Sequence, residues 1–355
     1  MRIAISTGGG DAPGLNAVIR AAVLTAVHRG WECFGVRRGL GSLLGESELM
    51  PLGPNEVRGI THLGGTILGT SSHGNPLRSR LQRPDGSWEE HDRSPELFES
   101  FRANRLGALI AIGGEGTLKI ALDLWKKGLP VVGVPKTIDN DVGGTVSTFG
   151  FDTAVSTATD AIDKLHTTAE SHERVMVVEV MGRNAGFIAL NSGIAGSADV
   201  ILIPEIPFDI NKVCDKIRRR EAEGRHFSVV VVAEGAVPKG GSVSLIDPEH
   251  ERLGGIADKV AHSIEQMMGK ETRSLVLGHL QRGGSPTTFD RVLALRFGAA
   301  AVRLVAEGKF GMMVASQPPR IVPVLIADAI ATPRRVPLDS DTIMTARDLG
   351  VSFGD

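Results

Sequence analysis

Short, wholly apolar runs alternate along this chain with longer stretches whose apolar residues recur every three or four positions. That alternation constrains the fold more than any other feature. Arg2–Ser6 reads as a strand. Leu15, Val18, Ile19, Ala22, Val23 and Ala26 then share one helical face, with Gly30 placed to cap it. Ala108–Ile112 and Val131–Val134 read as buried strands on either side of a helix from about Thr117 to Lys127. A second series begins near Phe151, with a helix to about His172 and then the strand Val175–Val180. A helix near Ala185–Ser192, the strand Val200–Ile203 and the strand Phe227–Ala233 follow. Ser274–Leu277 and a helix near Arg291–Glu307 complete it. Continuous apolar strands separated by helices belong to parallel sheets covered on both faces. Two such series in 355 residues predict an α/β chain of two doubly wound lobes with mainly parallel sheets. The polar stretch Asn75–Arg93, with Pro-Asp-Gly turn chemistry, reads as an exposed loop. Ligands of such folds bind beyond the carboxyl ends of strands. Every glycine-rich or polar segment discussed below follows a strand, so all can face one cleft.

Composition narrows the function. The formal charge is −2, which excludes a general nucleic-acid or acidic-membrane surface. Tyrosine is absent and aromatics are 4%, which argues against stacking platforms for bases or sugars. Cys33 and Cys214 are the two cysteines; far apart in sequence, they support neither a disulfide framework nor a zinc site. The N-terminus shows no signal-peptide pattern, and no apolar run approaches the ~18 residues a membrane span needs. The expectation is a cytoplasmic protein with no membrane partner. Glycine alone is in marked excess, 44 residues against a usual ~7%.

Those glycines gather where phosphate chemistry would use them. Thr7–Gly14, TGGGDAPG, joins the first strand to the first helix. Adjacent glycines let backbone approach a phosphate, and a helix N-terminus behind them favours negative charge. The spacing differs from the GxGxxG of dinucleotide folds, and a tight strand–helix turn would look the same. Ile112–Thr117, IGGEGT, repeats the design: Gly113, Gly114 and Gly116 surround Glu115, a hard ligand suited to Mg²⁺. Thr117 can donate to a phosphate or cap the next helix. Pro135–Thr145, PKTIDNDVGGT, carries Asp139 and Asp141 two residues apart. One carboxylate can take a proton from an attacking hydroxyl while the other positions metal, and Lys136 offers a cation to phosphoryl oxygens. In isolation two such Asp are also turn formers. Arg174, Arg183, Arg273, His279 and Arg282 sit around apolar strands. Arginine there suits a phosphorylated sugar, although any one is more often a solvated charge. Glu234 follows the valine-rich strand and suits sugar hydroxyls.

These segments, in this order, resemble the ATP/pyrophosphate-dependent 6-phosphofructokinase family. The matching pieces are TGGGDAPGLNAVIR, GGTILGTS, IGGEGT, PKTIDND, VMVVEVMGRNAG, VVAEG, ETRSLVLGHLQRGGSP and FDRVLALRFG, running to about Gly298. The resemblance implies a phosphofructokinase-like fold and phosphoryl transfer to the 1-hydroxyl of fructose 6-phosphate. It implies a phosphoryl-donor (ATP/Mg) lobe over 1–150 plus 282–335 and a fructose 6-phosphate lobe over 151–281 plus 336–355. It makes Asp139 the general base, with Lys136 and Arg183 beside the transferring group. Thr137, Asp141, Arg174, Met181, Gly182, Arg183, Glu234, Arg273, His279 and Arg282 become the sugar-phosphate site. Gly9, Gly10, Gly113, Gly114, Gly116 and Thr117 become the donor site, with Glu115 near Mg²⁺. It further implies a homo-oligomer, dimer or tetramer, in which Arg174 and Arg273 reach a neighbouring subunit's site.

The chain departs from the better-known bacterial ATP enzymes at several positions. Glu115 replaces an aspartate, and Ser72 stands where many relatives place an arginine, a role open to Arg78 or Arg80. Leu24 and His166 replace arginines of the family's effector site. Two positions that set the donor disagree. Gly116 matches ATP enzymes, because a side chain there would crowd the α-phosphate, whereas Lys136 matches pyrophosphate enzymes. Gly116 weighs more, since a lysine side chain can swing aside. Alternatives left open are a pyrophosphate donor, a sugar-phosphate-binding regulator without turnover, and another phosphosugar acceptor such as sedoheptulose 7-phosphate. A nicotinamide oxidoreductase is disfavoured by the first loop's spacing. A kinase of the NAD- or lipid-kinase type has no place for PKTIDND with MGRNAG.

Overall fold

A computed structural model describes residues 1–71, 75–83, 85–247 and 252–355. In chain order its first half comprises β1 (Arg2–Thr7), α1 (Leu15–Val27), β2 (Glu32–Val36), β3 (Met50–Leu52), β4 (Ser79–Gln82), β5 (Trp88–His91), α2 (Ser94–Ala103), β6 (Ala108–Gly113), α3 (Glu115–Lys126), β7 (Val131–Pro135) and α4 (Phe151–Ser171). There follow β8 (Val175–Val180), α5 (Phe187–Ala195), β9 (Val200–Leu202), α6 (Ile210–Ala222), β10 (Ser228–Ala233), β11 (Leu245–Asp247), β12 (Arg252–Leu253), α7 (Ile256–Met268), β13 (Thr272–Val276), α8 (Thr288–Ala306), β14 (Met312–Gln317), β15 (Arg320–Leu325), α9 (Ile326–Ala331) and α10 (Asp341–Asp348). The chain divides into two compact units. One is Met1–Thr137, Val142–Gly150 and Arg282–Pro333; the other is Ile138–Asp141, Phe151–Gln281 and Arg334–Asp355. Two details differ from the lobes expected above. Ile138–Asp141 group with the second unit, and the last crossing falls between Pro333 and Arg334. The cause is local: the Arg334 backbone N–H donates to the Asp141 carbonyl at 2.8 Å.

The first unit holds a seven-stranded sheet in the order β15-β14-β7-β6-β1-β2-β3. Its five central strands run parallel, and the edges β15 and β3 pair antiparallel. Alternate side chains feed two cores, as a pleat of period two requires. Ile3, Ile5, Ile110 and Ile112 pack with α1 and α8 on one face. Ala4, Leu109 and Ala111 pack with α2 and α3 on the other. At Gly298 of α8 a Cβ would lie 2.4 Å from the Val18 carbonyl, so only glycine lets α8 approach α1 so closely.

The stretch expected as a loop, Asn75–Arg93, forms the antiparallel hairpin β4–β5 instead. Its strands SRLQ and WEEH carry no apolar alternation, which hid them. The hairpin is held by its turn, where the Arg83 N–H donates to the Ser87 carbonyl at 2.8 Å, and by an Arg83–Glu89 ion pair at 2.8 Å. Pro84 and Ser72 lie outside the described residues.

The second unit holds a parallel sheet in the order β13-β8-β10-β9. Val175, Val177, Val230 and Val232 form a core with α6 and α7. The other face packs against α4 and α5. Among the described residues no helix is long and apolar enough to cross a membrane.

Candidate functional site

In the first unit three strands end side by side, and their loops are sewn together through backbone. The Gly8 N–H, just past β1, donates to the Ile112 carbonyl of β6 at 2.9 Å. The Lys136 N–H, just past β7, donates to the Gly113 carbonyl at 2.9 Å. The glycine loops TGGGDAPG and IGGEGT are therefore one surface. Gly9 takes φ 75°, in the left-handed region, which turns the backbone out from β1. At Gly113 a Cβ would lie 2.3 Å from the Thr117 side chain, so packing of α3's first turn fixes that glycine.

Gly116 is different. Its φ is ordinary and a Cβ there meets nothing within 4 Å. Neither packing nor backbone strain requires glycine at this position. It lines a cavity of about 370 Å³ with Gly9, Thr117, Arg78, Ile120 and Asp123. Sequence reasoning did not single out Ile120 or Asp123; their spacing from Gly116 and Thr117 on α3 was the available signal. Of the two arginines considered in place of the missing one, Arg78 lines the cavity, whereas exposed Arg80 lies in the hairpin.

Lys136 does not swing freely. It is 3% exposed, and its ammonium donates to the Gly10 carbonyl. Arg282, expected with the sugar-phosphate residues, belongs to this same unit. Its Nη1 donates to the Asp11 carbonyl at 3.1 Å. Gly10, Gly114 and exposed Glu115 complete the surface, Glu115 in the first turn of α3. Among the described residues no group of three or more His, Cys, Asp or Glu is placed to hold a metal ion. A single carboxylate beside bare backbone fits Mg²⁺, which keeps waters and takes phosphate oxygens rather than a protein cage.

In the second unit the expected residues fall into two groups at opposite ends of the sheet. Met181, Gly182 and Arg183 follow β8, Glu234 follows β10 and His279 follows β13. The Glu234 N–H donates to the Val180 carbonyl at 2.9 Å, and the Gly235 N–H to the Gly182 carbonyl at 3.1 Å. Gly182 sits at φ 141°, and a Cβ on Gly235 would lie 2.0 Å from the Arg183 carbonyl. Buried Gln281, which sequence reasoning passed over, accepts from the Met181 N–H at 3.3 Å and ties the His279 turn to this loop. Buried Glu179, near the end of β8, holds the start of α7. Burial pushes its carboxyl upward, opposed by hydrogen bonds from the Ala257 and Gly255 N–H groups.

Arg174 and Arg273 lie at the amino ends of β8 and β13 and share Glu271, which Arg174 Nε meets at 2.7 Å. β8 has six residues, so about 20 Å of strand separates this pair from Arg183 and Glu234.

Asp139 and Asp141 flank Asn140, which is 4% exposed and holds a left-handed φ of 55°. Ile138 beneath them is fully buried. Thr137 stays with the first unit, its carbonyl accepting from the Thr148 hydroxyl at 2.8 Å. Of the positions where effector-site arginines are missing, Leu24 packs on the first unit's core and His166 Nε2 lies 2.7 Å from the Gly196 carbonyl.

A family model described as phosphofructokinase matches residues 2–305. The chain belongs to the phosphofructokinase family. It is 53% identical over 356 residues to the "ATP-dependent 6-phosphofructokinase" of Chloroflexus aggregans, covering 100% of this chain and 98% of that one. It is 51% identical over 346 residues to the "Pyrophosphate--fructose 6-phosphate 1-phosphotransferase" of Amycolatopsis mediterranei, covering 96% and 97%. Among solved structures it resembles Pichia pastoris phosphofructokinase in the T-state, with a TM-score of 0.81 and 30% identity. That match covers 98% of this chain but 36% of the yeast chain, so this phosphofructokinase spans about a third of that subunit.

Proposed function

We infer that this phosphofructokinase transfers the γ-phosphoryl group of ATP to the 1-hydroxyl of fructose 6-phosphate, giving fructose 1,6-bisphosphate and ADP, a step of glycolysis. The observation that carries the donor assignment is Gly116. It opens without obstruction into a cavity of about 370 Å³, within the range of pockets that take nucleotide-sized ligands. Gly9, Gly10, Gly113, Gly114 and Thr117 present N–H and hydroxyl donors to the donor phosphates, and Arg78 adds a cation. Asp139 accepts the proton of the sugar's 1-hydroxyl as that oxygen attacks, and Asp141 helps orient it. Arg183 and Lys136 neutralise charge on the transferring group, and Arg282 offers a forked donor to phosphate. Thr137, Met181, Gly182, Glu234 and His279 hold the sugar phosphate. Glu115 would hold Mg²⁺, which when bound neutralises the donor's phosphate charge.

A second copy completes the sugar site. Arg174 and Arg273 lie too far along the sheet to serve their own chain's Arg183 and Glu234. Arg273 stands on β13, an edge strand exposing Leu275 and Val276, and Arg174 immediately precedes its neighbour β8. A homo-oligomer, dimer or tetramer, places them at a neighbour's site. The enzyme works in the cytoplasm, where its buried thiols Cys33 and Cys214 stay reduced.

A pyrophosphate donor is the second reading, favoured by Lys136 being buried against Gly10 rather than withdrawn. Purified protein with fructose 6-phosphate and Mg²⁺, given ATP or pyrophosphate in separate runs, tests both readings. Phosphorus NMR should show fructose 1,6-bisphosphate with ATP. Product with pyrophosphate alone would transfer the assignment to the second reading, and product with neither would refute catalysis.

A further inference from the structure

The turn that carries Asp139 and Asp141 has no regular secondary structure of its own, yet it must hold a carboxylate in one place. Its central residue, Asn140, is buried in a left-handed conformation that asparagine tolerates but does not favour. What grips this turn comes from the far end of the chain. The Arg334 backbone N–H donates to the Asp141 carbonyl at 2.8 Å. Its guanidinium Nη1 reaches the Asn140 carbonyl at 3.4 Å. The same guanidinium stacks on Phe187, its carbon 4.6 Å from the ring centroid. Phe187 opens α5, directly after the Met181–Gly186 loop that bears Arg183. Two residues beyond Arg334, the Val336 N–H donates to Glu205 Oε1 at 2.9 Å. Glu205 in turn accepts from the Gly186 N–H with both oxygens, each at 3.1 Å. Arg334 and Val336 thus bind the Asp139–Asp141 turn and the Arg183 loop into one network within the second unit.

We propose that Arg334 is a positioning residue for phosphoryl transfer: it clamps the Asn140–Asp141 carbonyls to the start of α5, and so fixes Asp139 relative to Arg183. Burial lowers the guanidinium's affinity for its proton, which fits a cation placed for its hydrogen bonds and its stacking rather than for solvation. A lysine offers no planar fork to reach a carbonyl while lying flat on a ring. The inference rests on Asp139 being the proton acceptor.

The test compares Arg334→Met, Arg334→Lys and Asp139→Asn with the parent, using ATP, fructose 6-phosphate and Mg²⁺. Met keeps apolar contact with Phe187 but loses the donor and the charge. In R334M kcat should fall by about tenfold or more, because small misplacements of a reacting group are costly. The KM for fructose 6-phosphate should stay within about twofold, since residues other than Arg334 hold the sugar. Loss of a cation held at the Asn140 carbonyl, on the turn that carries Asp139 and Asp141, should also move the acidic limb of the kcat–pH profile upward, a shift that mere loosening of the fold would not produce. R334K should restore part of kcat and part of that shift. Should R334M fail to fold, R334K alone decides, with kcat reduced by about threefold or more at unchanged KM expected. A parental kcat and pH profile in the folded variants would overturn the clamp. A parental kcat in D139N would instead overturn the reading on which it rests.

Discussion

The strand ends of the two units differ: glycine loops sewn together through backbone in the first, and Arg183, Glu234 and His279 held by distant side chains in the second. In the first, β1, β6 and β7 end in loops joined to one another by main-chain hydrogen bonds, and Gly9 and Gly116 bring bare backbone to the cavity wall beside side chains such as Arg78 and Thr117. Some of these glycines are structural, as Gly113 is against Thr117, and some are not, as Gly116 in open space is not. In the second, the strand ends carry Arg183, Glu234 and His279, and their geometry depends on partners far away in sequence: Gln281, Glu205 and Arg334. The contrast teaches that a phosphate can be held by a short contiguous motif, because donors on successive N–H groups come already aligned. A sugar and a proton acceptor need directional groups from several elements, each needing its own support.

Substitutions can break or sharpen this contrast. The largest effect belongs to the second unit: Asp139→Asn should lower kcat by about 10²- to 10⁴-fold, as loss of a general base does. A drop of less than about tenfold would remove Asp139 from that role. Next, Gly116→Asp should suppress turnover with ATP by about tenfold or more through repulsion of the donor phosphates. Its melting temperature should be parental, because the new side chain points into the cavity. A fall in melting temperature together with activity would make Gly116 structural and erase the distinction drawn from Gly113. A Cβ on Gly235 would press on the Arg183 carbonyl, so Gly235→Ala should cost about 1–3 kcal/mol in chemical unfolding. The smallest change is Thr287→Ala, which removes the cap accepting from the Asp290 N–H at 3.3 Å at the start of α8, with about 1 kcal/mol lost. It should leave both substrates' KM values unchanged.

What the sequence disclosed follows the same division. The glycine loops, the buried strands and the helices between them were legible because their signals are local: apolar periodicity, and glycines at strand ends. Helix ends were less so. α3 starts at Glu115 rather than near Thr117, and α8 at Thr288 once Thr287 caps it. The β4–β5 hairpin was read as a loop because the sequences SRLQ and WEEH carry no apolar alternation. Arg334 was invisible for a different reason. It meets Asn140 across 194 positions, and nothing in the pair Arg334-Arg335 marks one of them as a clamp. Lys136 was expected to be mobile, and its burial against Gly10 shows that flexibility cannot be read from residue type.

Calorimetry on the Asp139→Asn background, where turnover is suppressed, tests most directly whether bare backbone holds the donor and side chains hold the sugar. ATP with Mg²⁺ and fructose 6-phosphate would be titrated separately into D139N, D139N/G116D and D139N/E234A. Adding G116D should abolish the ATP heat and spare the sugar's, and adding E234A should do the reverse. Loss of both heats in either double variant, or of neither in both, would contradict it.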